Sequence, residues 1–511
     1  MKSLKMKRNY KNLIGNLGCK VAVVSLLGMA TLEAAERKQP NIVIVLADDM
    51  GWGDVGYHGA KDILTPNIDR IANEGVQFSQ GYVSASVCGP SRAGLLTGVY
   101  QQKFGCGENP SSSGWPDNCK YPMAGLPRSQ PLVAELLKEE GYTTGMVGKW
   151  HLGVHPSLRP PARGFDFYYG FLNGSHSYES WTNEFAKRKS EWPVFRNEEM
   201  EPPQKDIYLT DLFSDEAVGF IDKNHEKPFF LLMSYNAVHH PWQVPDKYLE
   251  RTKHLSKSED RNFFAGMVLA MDDGVGRMFD ALERHNISDD TVVIFLTDNG
   301  TPRGQGLMPK KKDSSLVRMT GDDCMSNSAG LRGFKGDTYE AGVRIPFCMR
   351  WPGVIEAGTT YDLPVSALDI VPTFVKEGEF DGVNLLPYLA GEKKGRPHEV
   401  LYWRRDNDYA IRKGDWKLQW NDASGGMSIK LFNLAEDPNE EHDLAQSQPE
   451  RAQQLQDLFD EWDNQLPDNE WWGGAGNRKR NRLKRYQGAD SVAEFNTNPP
   501  NDKVMRRKVR K

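Results

Sequence analysis

The stretch from Ser86 to Gly98 (SVCGPSRAGLLTG) constrains the fold and the chemistry of this chain more than any other. Pro90 fits the first turn of a helix, and Gly98 is suited to end that helix. Cys88 is therefore expected at a helix N-terminus, where free backbone N–H groups and the helix dipole favour an anion. Arg92 adds a cation whose planar fork fits a tetrahedral oxyanion. From these residues alone, the alternative is that Cys88 is a small buried thiol, as most free cysteines are.

Two short apolar runs, Ile42 to Leu46 and Thr291 to Thr297, are typical of buried parallel strands. Each is followed by two adjacent oxygen-bearing residues, Asp48 and Asp49 after the first and Asp298 and Asn299 after the second. Open α/β sheets bind ligands at the carboxyl ends of their strands, and oxygen ligands of this kind suit Ca²⁺ or Mg²⁺. Two such pairs on separate strands predict one shared metal site, although a solvated turn explains either pair taken singly.

Further polar side chains follow two other predicted strands. Lys149 and His151 are two residues apart, so they point to the same face of an extended segment. Side by side, a lysine and a histidine can hold an oxyanion and exchange a proton with it. His239 and His240 follow the next buried strand. For each of these four residues, a place on the surface is the alternative interpretation.

The order Cys-Gly-Pro-Ser-Arg-Ala-Gly-Leu-Leu-Thr-Gly resembles the signature of the type I sulfatases, a family of the alkaline-phosphatase-like superfamily. Other stretches from Asp48 to about Asp443 are similar to that family in the same order. They include Gly-Lys-Trp-His-Leu-Gly around Lys149, a His-x-Pro arrangement at His239, and the lysine before Gly-x-Thr-Tyr-Glu, which is Lys335 here.

The resemblance implies a nucleophile and a metal. Cys88 is expected to be converted by a formylglycine-generating maturation enzyme into formylglycine (3-oxoalanine), whose aldehyde hydrate attacks sulfur. One Ca²⁺ is expected, held by Asp48, Asp49, Asp298, Asn299 and residue 88.

The resemblance also implies roles for the remaining site residues. Arg92 and Lys149 hold the formylglycine hydrate, and His151 takes the proton that lets sulfate leave. His239, with Lys335, protonates or stabilises the leaving alcohol, while the neighbouring His240 is assigned to the surroundings of the substrate. The substrate-binding set is therefore His240, Arg92, Lys149 and Lys335.

The implied fold is α/β, with a large mixed, mostly parallel sheet sandwiched by helices and a smaller C-terminal antiparallel sheet subdomain. The predicted segments are a signal peptide (1–35), a catalytic domain (36–395), a C-terminal α+β subdomain (396–472) and a basic, loosely held tail (473–511). Within a predicted helix from Arg261 to Arg284, Asp272 and Asp273 are assigned to the solvated face. Glu340 and Arg344 are assigned to an ion pair.

The N-terminal residues predict export. A basic region is followed by a short apolar core, Val21 to Ala30, and by small residues, which is the pattern of a secretory signal peptide. The apolar run is about half as long as a membrane-spanning helix, so no stable membrane association is expected, although an N-terminal anchor is the alternative. We expect the protein to be periplasmic or secreted, and these oxidising environments permit disulfides. Cys106–Cys119 and Cys324–Cys348 are the pairs considered, with free thiols equally allowed.

A net charge of -5 argues against a nucleic-acid partner. The many Trp and Tyr residues of an exported chain, with a long polar loop from Gln101 to Arg128, favour a sulfated glycan as substrate. Two alternatives remain open at this stage. The first is a phosphate or phosphonate ester hydrolase of the same superfamily, and the second is a catalytically inactive exported binder of sulfated glycans.

Overall fold

A ten-stranded sheet organises the computed structural model of the protein, which describes residues 39–110, 123–179, 193–202, 204–302, 325–405, 408–423 and 426–467. The strands are β1 (Asn41–Ala47), β2 (Val76–Phe78), β3 (Gly81–Tyr82), β4 (Thr143–Lys149), β5 (Phe167–Phe171), β6 (Val194–Arg196), β7 (Glu199–Met200), β8 (Phe229–Ser234), β9 (Thr291–Thr297), β10 (Arg344–Ile345), β11 (Phe347–Arg350), β12 (Thr359–Tyr361), β13 (Val365–Ser366), β14 (Val400–Arg405), β15 (Asp408–Lys413), β16 (Trp416–Ala423) and β17 (Gly426–Asn433). The large sheet has the order β12-β2-β11-β9-β1-β8-β4-β5-β6-β7.

The helices complete the list of elements. They are α1 (Pro66–Asn73), α2 (Cys88–Thr97), α3 (Val133–Glu139), α4 (Leu209–Asn224), α5 (Asp246–Thr252), α6 (Glu259–Arg284), α7 (Glu340–Val343), α8 (Ile370–Phe374), α9 (Leu386–Leu389) and α10 (Pro449–Asp463), with 3-10 turns at Gly56–His58, Gln101–Phe104, Pro156–Leu158, Pro160–Arg163 and Ala367–Asp369. Among the helices of the described segments, none has both the length and the hydropathy needed to cross a bilayer.

Five adjacent strands in the centre of the large sheet, β9-β1-β8-β4-β5, are parallel, and antiparallel strands flank them on both sides. The run of β-branched and aliphatic side chains in β1 is buried on both faces, as parallel strands between helices require. Even-numbered residues such as Ile44 pack with α2 and α3, and odd-numbered residues such as Val45 pack with α4 and α6. The predicted mixed, mostly parallel sheet between helices is confirmed.

The C-terminal antiparallel sheet is also confirmed. Its strands β14 to β17 form a meander, and α10 covers one face through Leu455 and Phe459. The other side of this sheet joins the core of the large sheet through Trp403, which is 1% exposed and donates from Nε1 to the carbonyl oxygen of Val83 at 2.7 Å. The division of the chain at residue 395 stays a prediction.

The assignment of Asp272 to a solvated helix face is wrong. Its carboxylate is fully buried and accepts hydrogen bonds from the backbone N–H groups of Asn67 and Ile68, at 3.0 and 2.8 Å. It therefore caps α1 from a neighbouring helix, since the hydroxyl of the N-cap residue Thr65 donates to Asp69 instead. The adjacent Asp273 is partly exposed and pairs with Arg251, as a solvated position predicts.

Each predicted disulfide has one cysteine outside the described residues. Cys348 is a free, buried thiol in β11. Its predicted partner Cys324 lies outside the described residues, as do Cys119 and residues 1–35 and 473–511 with the predicted signal peptide and tail. The predicted ion pair of Arg344 with Glu340 is present at 3.7 Å.

Candidate active site

The carboxyl ends of β1 and β9 place four oxygen-bearing side chains side by side. Strand pairing continues past the last residues, because the N–H of Asp298 donates to the carbonyl oxygen of Ala47 at 3.0 Å. Asp48, Asp49 and Asp298 are at most 4% exposed, and Asn299 is fully buried. The amide of Asn299 donates to Asp49 Oδ1 at 2.8 Å, so the two predicted pairs do meet above the sheet.

Cys88 lies at the first residue of α2, as the sequence predicts. The helix ends at Gly98, whose φ of 68° is the left-handed conformation that glycine adopts readily. The Cys88 thiol is buried and lies 3.4 Å from Asp48 Oδ1. Burial, together with the charges of Asp298 and Asp48, raises the pKa of this thiol to about 12. The side chain is therefore a neutral thiol at physiological pH.

Three cations surround Cys88, each held by one of the carboxylates. Arg92 donates from Nε to Asp298 Oδ2 at 2.8 Å, and Lys149 donates to Asp48 Oδ2 at 2.5 Å. Lys335 reaches Asp49 and lies 3.1 Å from the sulfur of Cys88. Burial lowers the pKa of Lys335, but the charge of Asp49 and the other acids raises it further, so the net shift is well upward. All three predicted cations thus lie in the site.

The predicted histidine pair, His239 and His240, lies beside Asp49. His239 is 8% exposed, and its Nε2 lies 3.6 Å from Asp49 Oδ2. Its Nδ1 contacts the carbonyl oxygen of His240 at 2.7 Å, so Nδ1 carries a proton, because a carbonyl oxygen can only accept. The ring of His240 stacks on that of His239 with the centroids 4.2 Å apart, and it faces solvent. His239 is therefore the inner residue of the pair.

His151 lies close to the same cations. It is 6% exposed, and burial, together with the charges of Lys149 and Arg92, lowers its pKa well below the usual value. His151 and Asp49 both have a left-handed backbone, with φ of 59° and 66°. Non-glycine residues adopt this conformation at a cost, and such residues are concentrated at functional sites.

Several buried polar atoms of the site have no hydrogen-bond partner in the described residues. They are Asp298 Oδ1, Asn299 Oδ1, His151 Nδ1, Arg92 Nη2, and both Oδ1 and Nδ2 of Asn236. Leaving a buried polar group unpaired is costly, and native proteins rarely do so without a ligand, an ion or water in that place. The arrangement can therefore accept both a cation, on its oxygen atoms, and an anion, on its N–H groups.

Sequence reasoning missed two residues that support this site. Ser234, at the end of β8, accepts from Arg92 Nη1 at 2.6 Å and donates to the carbonyl oxygen of Lys149 at 2.7 Å. The hydroxyl of Tyr178 donates to the carbonyl oxygens of Asn236 and His239, at 2.5 and 2.8 Å. Alternation along β8 signals Ser234, because a hydroxyl interrupts an otherwise apolar face, whereas nothing in the local sequence signals Tyr178.

The comparisons with known proteins agree with this geometry. The family model described as "Sulfatase" matches residues 40–376. The N-acetylgalactosamine-6-sulfatase of Mus musculus is 34% identical over 417 residues, which cover 77% of this chain and 74% of that protein. The arylsulfatase of Hemicentrotus pulcherrimus is 31% identical over 418 residues, covering 78% of this chain and 70% of the other.

Solved structures show the same likeness. The crystal structure of Ps i-CgsB in complex with k-i-k-neocarrahexaose superposes with a TM-score of 0.76 and 33% sequence identity. The match covers 89% of this chain and 98% of that one.

Proposed function

The chain belongs to the sulfatase family and is a sulfuric ester hydrolase, and from this premise we propose that it removes sulfate from a sulfated carbohydrate, with formylglycine at position 88 and one bound Ca²⁺. One observation carries the proposal. Cys88 lies at a helix N-terminus within contact of Asp48 and Lys335, amid buried polar atoms that have no partner in the described residues.

The state of Cys88 supports the modification. A thiol must ionise to be a good nucleophile, and burial beside Asp48 and Asp298 raises the pKa of Cys88 to about 12. An unmodified cysteine in this environment is a weak nucleophile at neutral pH. Formylglycine, once formed, supplies a hydrated aldehyde with a hydroxyl group for attack on sulfur.

The donor set fits Ca²⁺. The ligands that we assign to it are Asp48, Asp49, Asp298, Asn299 and residue 88. Oxygen atoms dominate this set, and the unpartnered Oδ1 atoms of Asp298 and Asn299 need a cation or a hydrogen-bond donor. Asp48, Asp49, Cys88 and His239 can also bring ligand atoms within 4.8 Å of one another. When bound, Ca²⁺ supplies a Lewis acid that stabilises the negative charge of a sulfate group.

The charges of the site favour an anionic ester. The three carboxylates are matched by three cations, Arg92, Lys149 and Lys335. A divalent cation then leaves the site positive in total, and a positive cleft attracts a negatively charged substrate. The roles assigned to Arg92 and Lys149 are to hold the nucleophile at residue 88, and Lys335, which lies 3.1 Å from Cys88 Sγ, is close enough to reach a sulfate group bound there.

Proton transfer falls to the two inner histidines. With Nδ1 of His239 bonded to the carbonyl oxygen of His240, Nε2 is the atom that must take a second proton to donate to the leaving oxygen, against the effect of burial, which lowers the pKa of this ring well below its usual value. His151, whose Nδ1 has no partner in the described residues, can take a proton from the nucleophile side. His240 lies at the solvent side, where it can contact the sugar that carries the sulfate.

The carbohydrate substrate is supported by relatives. The mouse relative is named an N-acetylgalactosamine-6-sulfatase, and Ps i-CgsB was solved with k-i-k-neocarrahexaose. Export is supported by the charge and hydropathy pattern of residues 1–35, and maturation requires a formylglycine-generating enzyme as a partner.

The test begins with the mass of the tryptic peptide Ile71 to Arg92, from protein made in a host that carries a maturation enzyme. We expect the cysteine sulfur to be exchanged for an aldehyde oxygen, and Cys88→Ala protein provides the reference peptide. An unmodified thiol in the peptide from that host contradicts the proposal.

The same protein is then assayed on a panel of sulfated sugars, an aryl sulfate and an aryl phosphate. Sulfate release from at least one sugar, absent in Cys88→Ala, is the expected result. Turnover of the aryl esters without any sugar refutes the carbohydrate substrate. Faster turnover of aryl phosphate than of every sulfate ester favours a phosphate or phosphonate ester hydrolase instead.

A further inference from the structure

The segment that carries Lys335, here called the Lys335 loop (residues 331–340), is attached to the large sheet on one side. The N–H of Lys335 donates to the carbonyl oxygen of Thr301 at 2.6 Å, and the N–H of Gly336 donates to that of Ser86 at 2.8 Å. Ser86 lies two residues before Cys88. These two hydrogen bonds fix the backbone at Lys335 on one side of the loop. The carbonyl oxygen of Gly336 and the N–H of Thr338 need other partners.

The β14–β15 hairpin holds that other edge. Arg405 donates from Nη1 to the carbonyl oxygen of Gly336 at 2.8 Å, and Asp408 Oδ2 accepts from the N–H of Thr338 at 2.7 Å. Arg405 and Asp408 are directly paired across the two strands. The backbone from Lys335 to Tyr339 forms turns and bends. A donor and an acceptor side chain thus bind one carbonyl and one N–H group of this segment.

The two side chains, which we name the hairpin clamp, are themselves fixed. Asp408 Oδ1 accepts from Gln419 Nε2 at 2.7 Å, and Arg405 lies 3.3 Å from the buried Glu108. At the end of the loop, Lys417 pairs with both Glu340 and Glu440 at 2.9 Å, and all three side chains are fully buried. Both side chains of the hairpin clamp therefore have a partner besides the Lys335 loop.

The loop needs such a support. Gly333 and Gly336 have φ of 86° and 97°, which are conformations that cost glycine little and that an unsupported chain leaves easily. Gly336 follows Lys335 directly, so a change at Gly336 displaces the lysine. Displacing a group that must meet the reacting atoms by about 1 Å can cost on the order of a hundredfold in rate.

We propose that Arg405 and Asp408 are positioning residues of the sulfatase reaction, which act through the backbone of the Lys335 loop to place the Lys335 ammonium against residue 88 and the sulfate group. The inference rests on the function proposed for Lys335. It gives the C-terminal sheet a direct part in the activity of a site that lies on the large sheet.

The test compares neighbouring arginines of β14. Arg405→Ala and Asp408→Ala in the matured full chain are expected to lower kcat/KM for an aryl sulfate about tenfold. Arg404→Ala is the matched control, because Arg404 pairs with Asp463 of α10 at 2.6 Å and does not contact the Lys335 loop through its described side-chain bonds. Asp408→Asn keeps an oxygen for the N–H of Thr338 and is expected to retain near wild-type kcat/KM.

A double-mutant cycle separates positioning from general destabilisation. In the Lys335→Ala background, Arg405→Ala and Asp408→Ala are expected to lower kcat/KM by less than about twofold, because they act through that lysine. An undiminished loss in that background, or an equal loss in Arg404→Ala, overturns the inference. If Lys335→Ala turns over too slowly to assay, the dissociation constant of inorganic sulfate is measured by calorimetry for the same variants. Arg405→Ala and Asp408→Ala are then expected to weaken sulfate binding in the wild-type background, and to change it by less than about twofold in the Lys335→Ala background.

A wrong role for Lys335 and a wrong role for the hairpin clamp give different results. If Lys335→Ala retains wild-type kcat/KM, the role proposed for Lys335 is wrong. If Lys335→Ala is impaired while Arg405→Ala and Asp408→Ala match Arg404→Ala, the function stands and the hairpin clamp is wrong.

Discussion

The active site and the buried charge cluster under the C-terminal sheet are built from the same residue types, yet their hydrogen bonding differs. In the cluster, Lys417 lies 2.9 Å from each of Glu340 and Glu440, and Tyr82 donates to the second oxygen of Glu340 at 2.7 Å. The active site also pairs each lysine with a carboxylate. Asp298 Oδ1 and Asn299 Oδ1, however, have neither a hydrogen-bond donor nor an ion-pair partner in the described residues, whereas Glu440 Oε1 has Lys417.

This difference distinguishes a structural cluster from a binding site. Burial of a charge is tolerated where a partner of opposite charge and further hydrogen bonds compensate for lost hydration, as they do around Lys417. Unpaired oxygen atoms at the same depth are a cost that a ligand, an ion or an ordered water removes. Substitution in the cluster should therefore lower stability, whereas substitution of the uncharged Cys88 should lower activity and leave stability nearly unchanged.

The largest expected effect is on activity. Cys88→Ser preserves the size of the side chain but offers no cysteine for oxidation, so kcat/KM for an aryl sulfate should fall by on the order of a thousandfold or more. The melting temperature should stay close to that of the wild-type chain. Cys348→Ser replaces another buried thiol away from the site, so it controls for the effect of exchanging a buried thiol for a hydroxyl. If Cys88→Ser loses stability markedly but keeps its activity, Cys88 has a structural role and the distinction between the two regions is wrong.

The next effect is on stability. Lys417→Met leaves Glu340 and Glu440 buried without their cation, and breaking a buried pair in this way costs about 3–5 kcal/mol. The free energy of unfolding from chemical denaturation measures it. Replacing both glutamates by glutamine in the same chain should restore part of the loss. A cost below about 1 kcal/mol for Lys417→Met means that the cluster is not structural.

A smaller effect separates two adjacent acids of α6. Asp272→Ala removes the acceptor for two backbone N–H groups at the start of α1 and should lower the free energy of unfolding by about 1–3 kcal/mol. Asp273→Ala breaks only a partly exposed pair with Arg251 and should cost less than about 1 kcal/mol. Equal losses in the two variants contradict the capping role of Asp272.

Asp272 also shows where sequence reasoning fails. The backbone N–H groups that donate to Asp272 are 204 and 205 residues away along the chain. The sequence around Asp272 does not differ from that of an exposed helix with two adjacent acids. By contrast, β9 was predicted with its observed bounds, Thr291–Thr297, because burial on both faces leaves a continuous apolar run that the sequence displays directly.

The same contrast holds within the active site. Cys88, Arg92 and the strand-end acids follow from local rules about helix starts and strand ends. Tyr178, whose hydroxyl holds the backbone of Asn236 and His239, acts at a distance of 58 to 61 residues along the chain. Such support is fixed by the tertiary fold, so the local sequence contains no mark of it.

The smallest expected effect is pH-dependent and lies outside both charged regions. His398 Nε2 lies 2.7 Å from Asp369 Oδ1, and Asp369 also accepts from the N–H groups of Ser366 and Val383. Burial lowers the pKa of His398, but the charge and hydrogen bond of Asp369 raise it further, so the folded-state pKa lies above the usual value. The unfolded value is about 6.5.

A group with a raised folded-state pKa stabilises the fold fully below its unfolded pKa, and this contribution is lost as the pH rises through the folded-state pKa. The free energy of unfolding of the wild-type chain should therefore exceed that of His398→Gln by more at pH 6 than at pH 9, with a change of about 1 kcal/mol. Denaturation curves of both chains at the two pH values measure this difference. If the difference in free energy of unfolding between the two chains is the same at both pH values, His398 acts as a neutral hydrogen-bond donor to Asp369. If this difference shrinks as the pH rises, His398 is protonated in the fold and forms a buried ion pair with Asp369.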